Sequence, residues 1–252
     1  MGVCILIYSH SEYSFLWGAL FHLFDKHVDK EIPVHFLIND STGGKELEIV
    51  PENFIVHTYS ESLLWTDRVL KSLREISDSH ILFLHEDWLP IGAVSAERLT
   101  EVEGFMREKN CNYLLSYSDR YWFNNEQIST TIPDYSYIQI TNHVFQPAIW
   151  TRDIFIEFCS VFKISKNQNE HPSCLEFMGE RNCWSVQNIR TERYARSVNS
   201  YFYPHAHVLA WGLWAVGRYP NILAFLEYLK IDHTARGHDF SWEKDTPEII
   251  PF

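Results

Sequence analysis

The run Ile81-Leu82-Phe83-Leu84, closed by His85-Glu86-Asp87, constrains this chain more than any other stretch. Four consecutive apolar residues read as a strand buried on both faces, as in the sheet of an α/β protein. Two adjacent carboxylates repel one another unless a cation or hydrogen-bond donors offset the charge. In open α/β sheets the ligand sits beyond the carboxyl ends of the strands. Carboxylates placed there can hold a hard divalent ion, and the ion can hold phosphates. A polar strand end turning at Leu89-Pro90 is the plainer reading, and this stretch alone leaves both open.

The flanking pattern places that strand in an alternating α/β chain. Val3 to Tyr8 reads as a first buried strand and Ser9-His10-Ser11 as a polar loop. The spacing of Tyr13, Leu16, Trp17, Leu20, Phe21 and Phe24 predicts a helix with Ser11 as its N-cap. Gly-rich phosphate loops are missing between that strand and helix, which counts against a dinucleotide fold and a P-loop. A second strand over 32–38 ends in Asn39-Asp40, polar side chains able to bond a base or ribose, and equally ordinary turn formers. A short third strand is predicted over 54–57, and a helix over 64–76 carries Arg68. That arginine either reaches a diphosphate or lies solvated on the helix face.

Ser95 caps a further predicted helix ending near Asn110. A strand over 113–117 then leads to Ser118-Asp119-Arg120. The polar region 122–134 reads as an irregular loop over a site. Short strands are expected over 137–140 and 144–148, and a helix carries Ile154, Phe155, Phe158, Val161 and Phe162. Pro172 and Ser173 open another helix, where Glu176 also suits the macrodipole. Tyr201 to Leu209 reads as a strand in which His205 and His207 share a face and could chelate one ion. An apolar helix follows over 221–230, then a polar tail.

With 252 residues, 46% of them hydrophobic, the chain can build one large α/β domain or two small ones. A formal net charge of -12 argues against a nucleic-acid surface, which needs a basic face. The five cysteines form no C-x-x-C pair, so their spacing offers neither a zinc motif nor a disulfide framework and points to a reducing compartment. No run is apolar for the length of a membrane span. A cytoplasmic protein is expected, with peripheral membrane contact through the aromatic C-terminal third left open.

The order of these motifs resembles a glycosyltransferase family of GT-A fold, of the bacterial and large-DNA-virus polysaccharide type, over roughly Val3 to Tyr219. Trp65-Thr66-Asp67-Arg68 is similar to the family's W-x-x-R segment, and Glu86-Asp87-Trp88 to its D-D-y strand end. Gln146-Pro147-Ala148-Ile149-Trp150 resembles Q-P-a-x-W. Pro172-Ser173-Cys174-Leu175-Glu176 resembles a P-W-x-x-E helix start, and Trp211-Gly212-Leu213-Trp214 a late G-k-W. Glu86 stands where Asp is usual, a mild change for metal binding. Ser173 replaces a tryptophan, which removes a stacking surface from the acceptor pocket.

The resemblance implies a single domain over 1–252, a GT-A-like, Rossmann-type mixed sheet flanked by helices. Residues 1–118 would form the nucleotide-binding half, and 119–252 the acceptor half and tail. It implies divalent-metal-assisted transfer of a sugar from a nucleotide-diphosphate donor to a glycan hydroxyl, by an inverting reaction that needs a general base, with a retaining reaction that needs none as the alternative. Asp87 and Glu86 would hold Mn²⁺ or Mg²⁺, Ser9, His10, Asn39 and Asp40 the base and ribose, and Arg68 would add positive charge. Glu176 would be the general base, with Asp119 as the second candidate. Trp122, Trp150, Phe177, Trp211 and Trp214 would supply sugar-stacking surface or core. A nucleotidyltransferase, a nucleotide-sugar hydrolase, or a non-catalytic nucleotide-sugar-binding module on the same scaffold are the alternatives.

Overall fold

The computed structural model describes residues 2–41, 45–116, 123–129, 135–140, 147–162, 183–188, 202–210, 213–216, 219–234 and 236–238. Its first half alternates strand and helix. The elements are β1 (Val3–Tyr8), α1 (Ser14–His27), β2 (Val34–Asn39), α2 (Lys45–Glu48), β3 (Phe54–Tyr59), α3 (Trp65–Glu75) and β4 (His80–His85). Next come β5 (Trp88–Pro90), α4 (Ala96–Glu108), β6 (Tyr113–Leu115), β7 (Phe123–Ser129), β8 (Tyr135–Ile140), β9 (Ala148–Thr151), α5 (Arg152–Val161) and β10 (Cys183–Asn188). The described chain ends with β11 (His205–His207), β12 (Leu209–Ala210), β13 (Leu213–Trp214) and α6 (Ile222–Tyr228).

Nine strands form one mixed sheet in the order β3-β2-β1-β4-β9-β6-β10-β8-β7. The first four are parallel, whereas β9 runs antiparallel between β4 and β6. The connection from β1 leads outward to β2 and β3, and the chain then crosses back to β4 on the other side of β1. That reversal falls at the carboxyl ends of β1 and β4, the position at which such sheets bind ligands.

Alternation along β1 builds a core on each face. Val3, Ile5 and Ile7 pack with α1 and α4 residues such as Leu20, Phe24, Leu99 and Met106. Cys4, Leu6 and Tyr8 pack with α3 and α5 residues such as Val69, Leu73, Phe155 and Phe158. Ile81 through Leu84 are all buried, Leu82 and Leu84 on the first face and Ile81 and Phe83 on the second. Full burial of one such side chain contributes about 1.5–3 kcal/mol. The central run is therefore apolar throughout because both sheet faces are covered.

Several expectations need correction. The helix cap predicted at Ser11 is displaced: a 3₁₀ turn, Ser11–Tyr13, precedes α1, and the His10 side chain accepts from Glu12 N. Ser11 is engaged elsewhere, because its amide and hydroxyl both bond Asn39. The region read as an irregular loop over 122–134 contains β7, paired with β8. A polar sequence there hides a strand whose ladder partner is a neighbouring hairpin arm. Of the strand expected over 144–148 only 147 and 148 are among the described residues; the strand there is Ala148–Thr151, slotted between β4 and β6. In place of the single strand predicted over 201–209, the structure has two short strands, β11 paired with β5 and β12 paired with β13. Ser95 does cap α4, accepting from Arg98 N at 3.1 Å.

Candidate functional site

Parallel register brings three strand ends together. Tyr8 pairs with Leu37 on one side and His85 on the other, so the loops after β1, β2 and β4 leave the sheet side by side. Ser9-His10, Asn39-Asp40 and Glu86-Asp87, far apart in sequence, emerge along this one edge.

Asn39 knits the loops after β1, β2 and β3. Its Oδ1 accepts from Ser11 N at 2.8 Å, and its Nδ2 donates to Ser11 Oγ at 2.9 Å and Glu61 Oε1 at 2.6 Å. Glu61 also accepts from Ser41 Oγ, and its carboxylate is held below its usual range by the Ser41 and Asn39 bonds. His10 completes the cluster, with Nε2 3.4 Å from Glu61 Oε1. Asp40 stands exposed at the rim, anchored by its amide on Tyr59 O at 2.7 Å. Ser9 is fully buried: its hydroxyl accepts from Trp17 Nε1 at 2.8 Å and its carbonyl from Tyr59 OH at 2.8 Å. Its side chain thus ties α1 to the sheet edge.

Next to this cluster Tyr8 and Tyr59 stack with centroids 5.4 Å apart. Arg68 lies 4.8 Å from the Tyr59 centroid and donates from Nη1 to Tyr8 OH at 2.9 Å, from Nε to Leu63 O and from Nη2 to Glu61 O. The first turn of α3 therefore ties its guanidinium to Tyr8 and the loop after β3.

The two central carboxylates differ sharply in environment. Glu86 is only 6% exposed, and burial, then the Asp87 charge, raise its pKa well above the usual carboxylate range; the Arg236 guanidinium offsets this in part. Asp87 is pushed the other way. Burial opposes its charge, but His207, by attraction and by hydrogen bond, and His85 outweigh it and hold Asp87 below the usual range. His207 Nε2 lies 3.0 Å from Asp87 Oδ2, while its ring stacks on Trp88 at 4.2 Å. A guanidinium also approaches this end, since Arg236 sits over the Phe15 and Tyr13 rings at 4.5 and 5.1 Å.

One anionic carboxylate and a second carboxyl beside it form an oxygen donor pair, with the His207 imidazole bonded to Asp87. Mg²⁺-class ions commonly use one or two carboxylates and take their remaining ligands from water and substrate phosphates. The residues present fit such an ion. Among the described residues, no third Cys, His, Asp or Glu converges with Glu86 and Asp87.

The structure thus gathers Ser9, His10, Asn39, Asp40, Arg68, Glu86 and Asp87 along one sheet edge. Glu176 and Asp119, with the Pro172–Glu176 motif, Gln146, Trp122, Phe177 and Trp211-Gly212, lie outside the described residues. Ala148, Ile149 and Trp150 form the strand beside β4, and Trp214 is buried, donating to His233 O at 3.0 Å. His205 and His207 do share a face, both against Trp88, yet they take different partners: His205 Nδ1 meets Tyr203 O at 2.7 Å. Sequence reasoning missed His207 as the Asp87 partner, and Glu61 and Arg236 altogether. The His-Ala-His alternation was the one available signal.

No protein-family model and no curated protein matches the sequence. Solved structures do. TarS of S. aureus superposes with a TM-score of 0.50 at 14% identity, over 73% of this chain and 35% of TarS. TarS 1-349 in complex with UDP-GlcNAc gives 0.50 at 13%, over 73% and 56%. A cytidylyltransferase from Leptospira borgpetersenii serovar Hardjo-bovis gives 0.49 at 14%, over 93% and 98%. The chain spans less than two thirds of either TarS chain. At these identities the likeness is one of fold: this is a GT-A-like α/β scaffold, a type also found in a protein solved with a nucleotide sugar. Among the described residues, no helix is long and apolar enough to cross a membrane.

Proposed function

We propose that this protein transfers a sugar from a nucleoside-diphosphate donor to a hydroxyl of a glycan acceptor, in polysaccharide assembly. The observation that carries the reading is Asp87, held anionic at the carboxyl edge of β4 beside the Asn39 cluster, at the reversal point of a GT-A-like sheet. The scaffold it shares with TarS 1-349, solved with UDP-GlcNAc, supports a nucleotide-sugar donor.

Charge must be stabilised on the leaving diphosphate as the glycosidic bond breaks. A bound Mg²⁺ or Mn²⁺ supplies that stabilisation as a Lewis acid. Asp87 would hold the ion, Glu86 would assist directly or through water, and His207 fixes the Asp87 carboxylate. Asp40 and His10 receive the base and ribose, with the buried Ser9 and Asn39 fixing the loops beneath them. Arg68 adds fixed positive charge at the donor end. Glu176 takes the acceptor proton on the face opposite the leaving group, and Asp119 is the second candidate for that role.

Calorimetric titration with UDP, GDP and dTDP, each with and without Mn²⁺, tests the donor half of the proposal. One nucleotide should bind only with metal, and Asp87→Ala should weaken it at least tenfold. Binding by none of them, or metal-independent binding untouched by Asp87→Ala, overturns the reading. Glu176→Gln separates the second half: nucleotide affinity should persist while transfer falls by about 10²–10⁴. Transfer that survives Glu176→Gln and falls in Asp119→Asn would reassign the base to Asp119.

A further inference from the structure

Three side chains of metal-ligating type converge at the opposite edge of the parallel sheet. Cys4 lies near the start of β1, His35 near the start of β2, and Asp78 in the turn entering β4. One ligand atom from each lies within 4.8 Å of the other two. Cys4 is fully buried, His35 is 6% exposed and Asp78 is half-buried. We propose that these three residues bind a zinc-class divalent ion, at a site separate from the Glu86-Asp87 edge.

A second observation points the same way. His35 Nδ1 lies 2.8 Å from His57 Nε2, and His57 Nδ1 lies 2.9 Å from Glu75 Oε2. Glu75 only accepts, so His57 Nδ1–H donates to it. With one proton per ring, His57 Nε2 then accepts from His35 Nδ1–H. His35 Nε2 is left carrying a lone pair. A carboxylate fixing the tautomer of a ligating histidine is the usual outer-shell arrangement at zinc. Here it runs through one further imidazole.

Thiolate, imidazole and carboxylate together select zinc over Mg²⁺ or Ca²⁺, which prefer all-oxygen sets. Three protein ligands leave one tetrahedral position, and half-buried Asp78 marks the route from solvent. The ion would tie the starts of β1 and β2 to the turn between α3 and β4. Spacing rules miss this site because its ligands stand 31 and 43 positions apart, with a single cysteine among them.

Cobalt is the probe. The full chain, stripped with EDTA, is titrated with Co²⁺ and then Zn²⁺. One equivalent of Co²⁺ should give tetrahedral visible absorption and a thiolate-to-cobalt charge-transfer band, both displaced by one equivalent of Zn²⁺. Cys4→Ser should remove the charge-transfer band, and Cys111→Ser and Asp87→Ala should keep it. Asp78→Asn, on a half-buried turn, keeps the fold and should weaken Co²⁺ binding at least tenfold. A wild-type chain with no charge-transfer band, a band that survives Cys4→Ser, or unchanged affinity in Asp78→Asn overturns the proposal.

Discussion

At the scale of single residues, Glu86 and Asp87 show how neighbours of one chemical type divide. The chain places them one position apart, and the fold buries one and gives the other an imidazole. Their adjacency was legible in the sequence; their inequality was not, because it depends on His207, 120 positions away. If His207 orients Asp87, then His207→Ala should weaken metal-dependent nucleotide binding by about 10- to 100-fold, the range for outer-shell partners of metal ligands. The fold should persist, since β11 is held to β5 by backbone pairing. Calorimetry on the variant checks the first point and circular dichroism the second. Equal affinity in wild type and variant would mean that the 3.0 Å contact positions nothing.

At the scale of elements, the strands and helices with strong periodicity emerged close to their expected bounds: β1, β2, α3, β4 and α4. The misses share a cause. Secondary structure at β7, β9 and β11 is set by partners distant in sequence, and strand pairing leaves no local signature when composition is mixed. Within β4, Leu82→Ala should cost about 2–5 kcal/mol in denaturant unfolding, as for a core leucine with no room to relax. Trp17→Phe, which strands the buried Ser9 hydroxyl, should cost about 1–3 kcal/mol by the same measurement. The end of α1 carries a pH response. A histidine at a helix C-terminus usually gains from its charge, but burial, with Lys26 and His22 nearby, lowers the His27 pKa from 6.5. The unfolded chain therefore takes up a proton near that value before the folded one does. Its contribution should be complete above pH 6.5 and be lost as pH falls through the folded pKa, and His27→Gln should flatten that slope in melts between pH 5 and 7.

At the scale of the whole molecule, β1 is the element that reaches both proposed sites. Tyr8 and Ser9 stand at the donor edge, and Cys4 at the metal edge. A ligand that binds only the folded state stabilises it by about 2.7 kcal/mol at one hundred times its dissociation constant. For a domain of this size each kcal/mol raises Tm by roughly 2–4 °C. Saturating nucleotide with Mn²⁺ should therefore raise Tm by roughly 5–10 °C, and Asp87→Ala should abolish the rise. Zinc should produce a rise of its own, lost in Asp78→Asn and kept in Asp87→Ala. If the interior of β1 is rigid, the two increments add, as for distant sites without shared partners. A combined rise clearly smaller or larger than the sum would mean that the strand transmits strain between its ends. Occupancy of the zinc site would then tune donor affinity, and the same titration of nucleotide into zinc-free and zinc-loaded protein would read out that coupling directly.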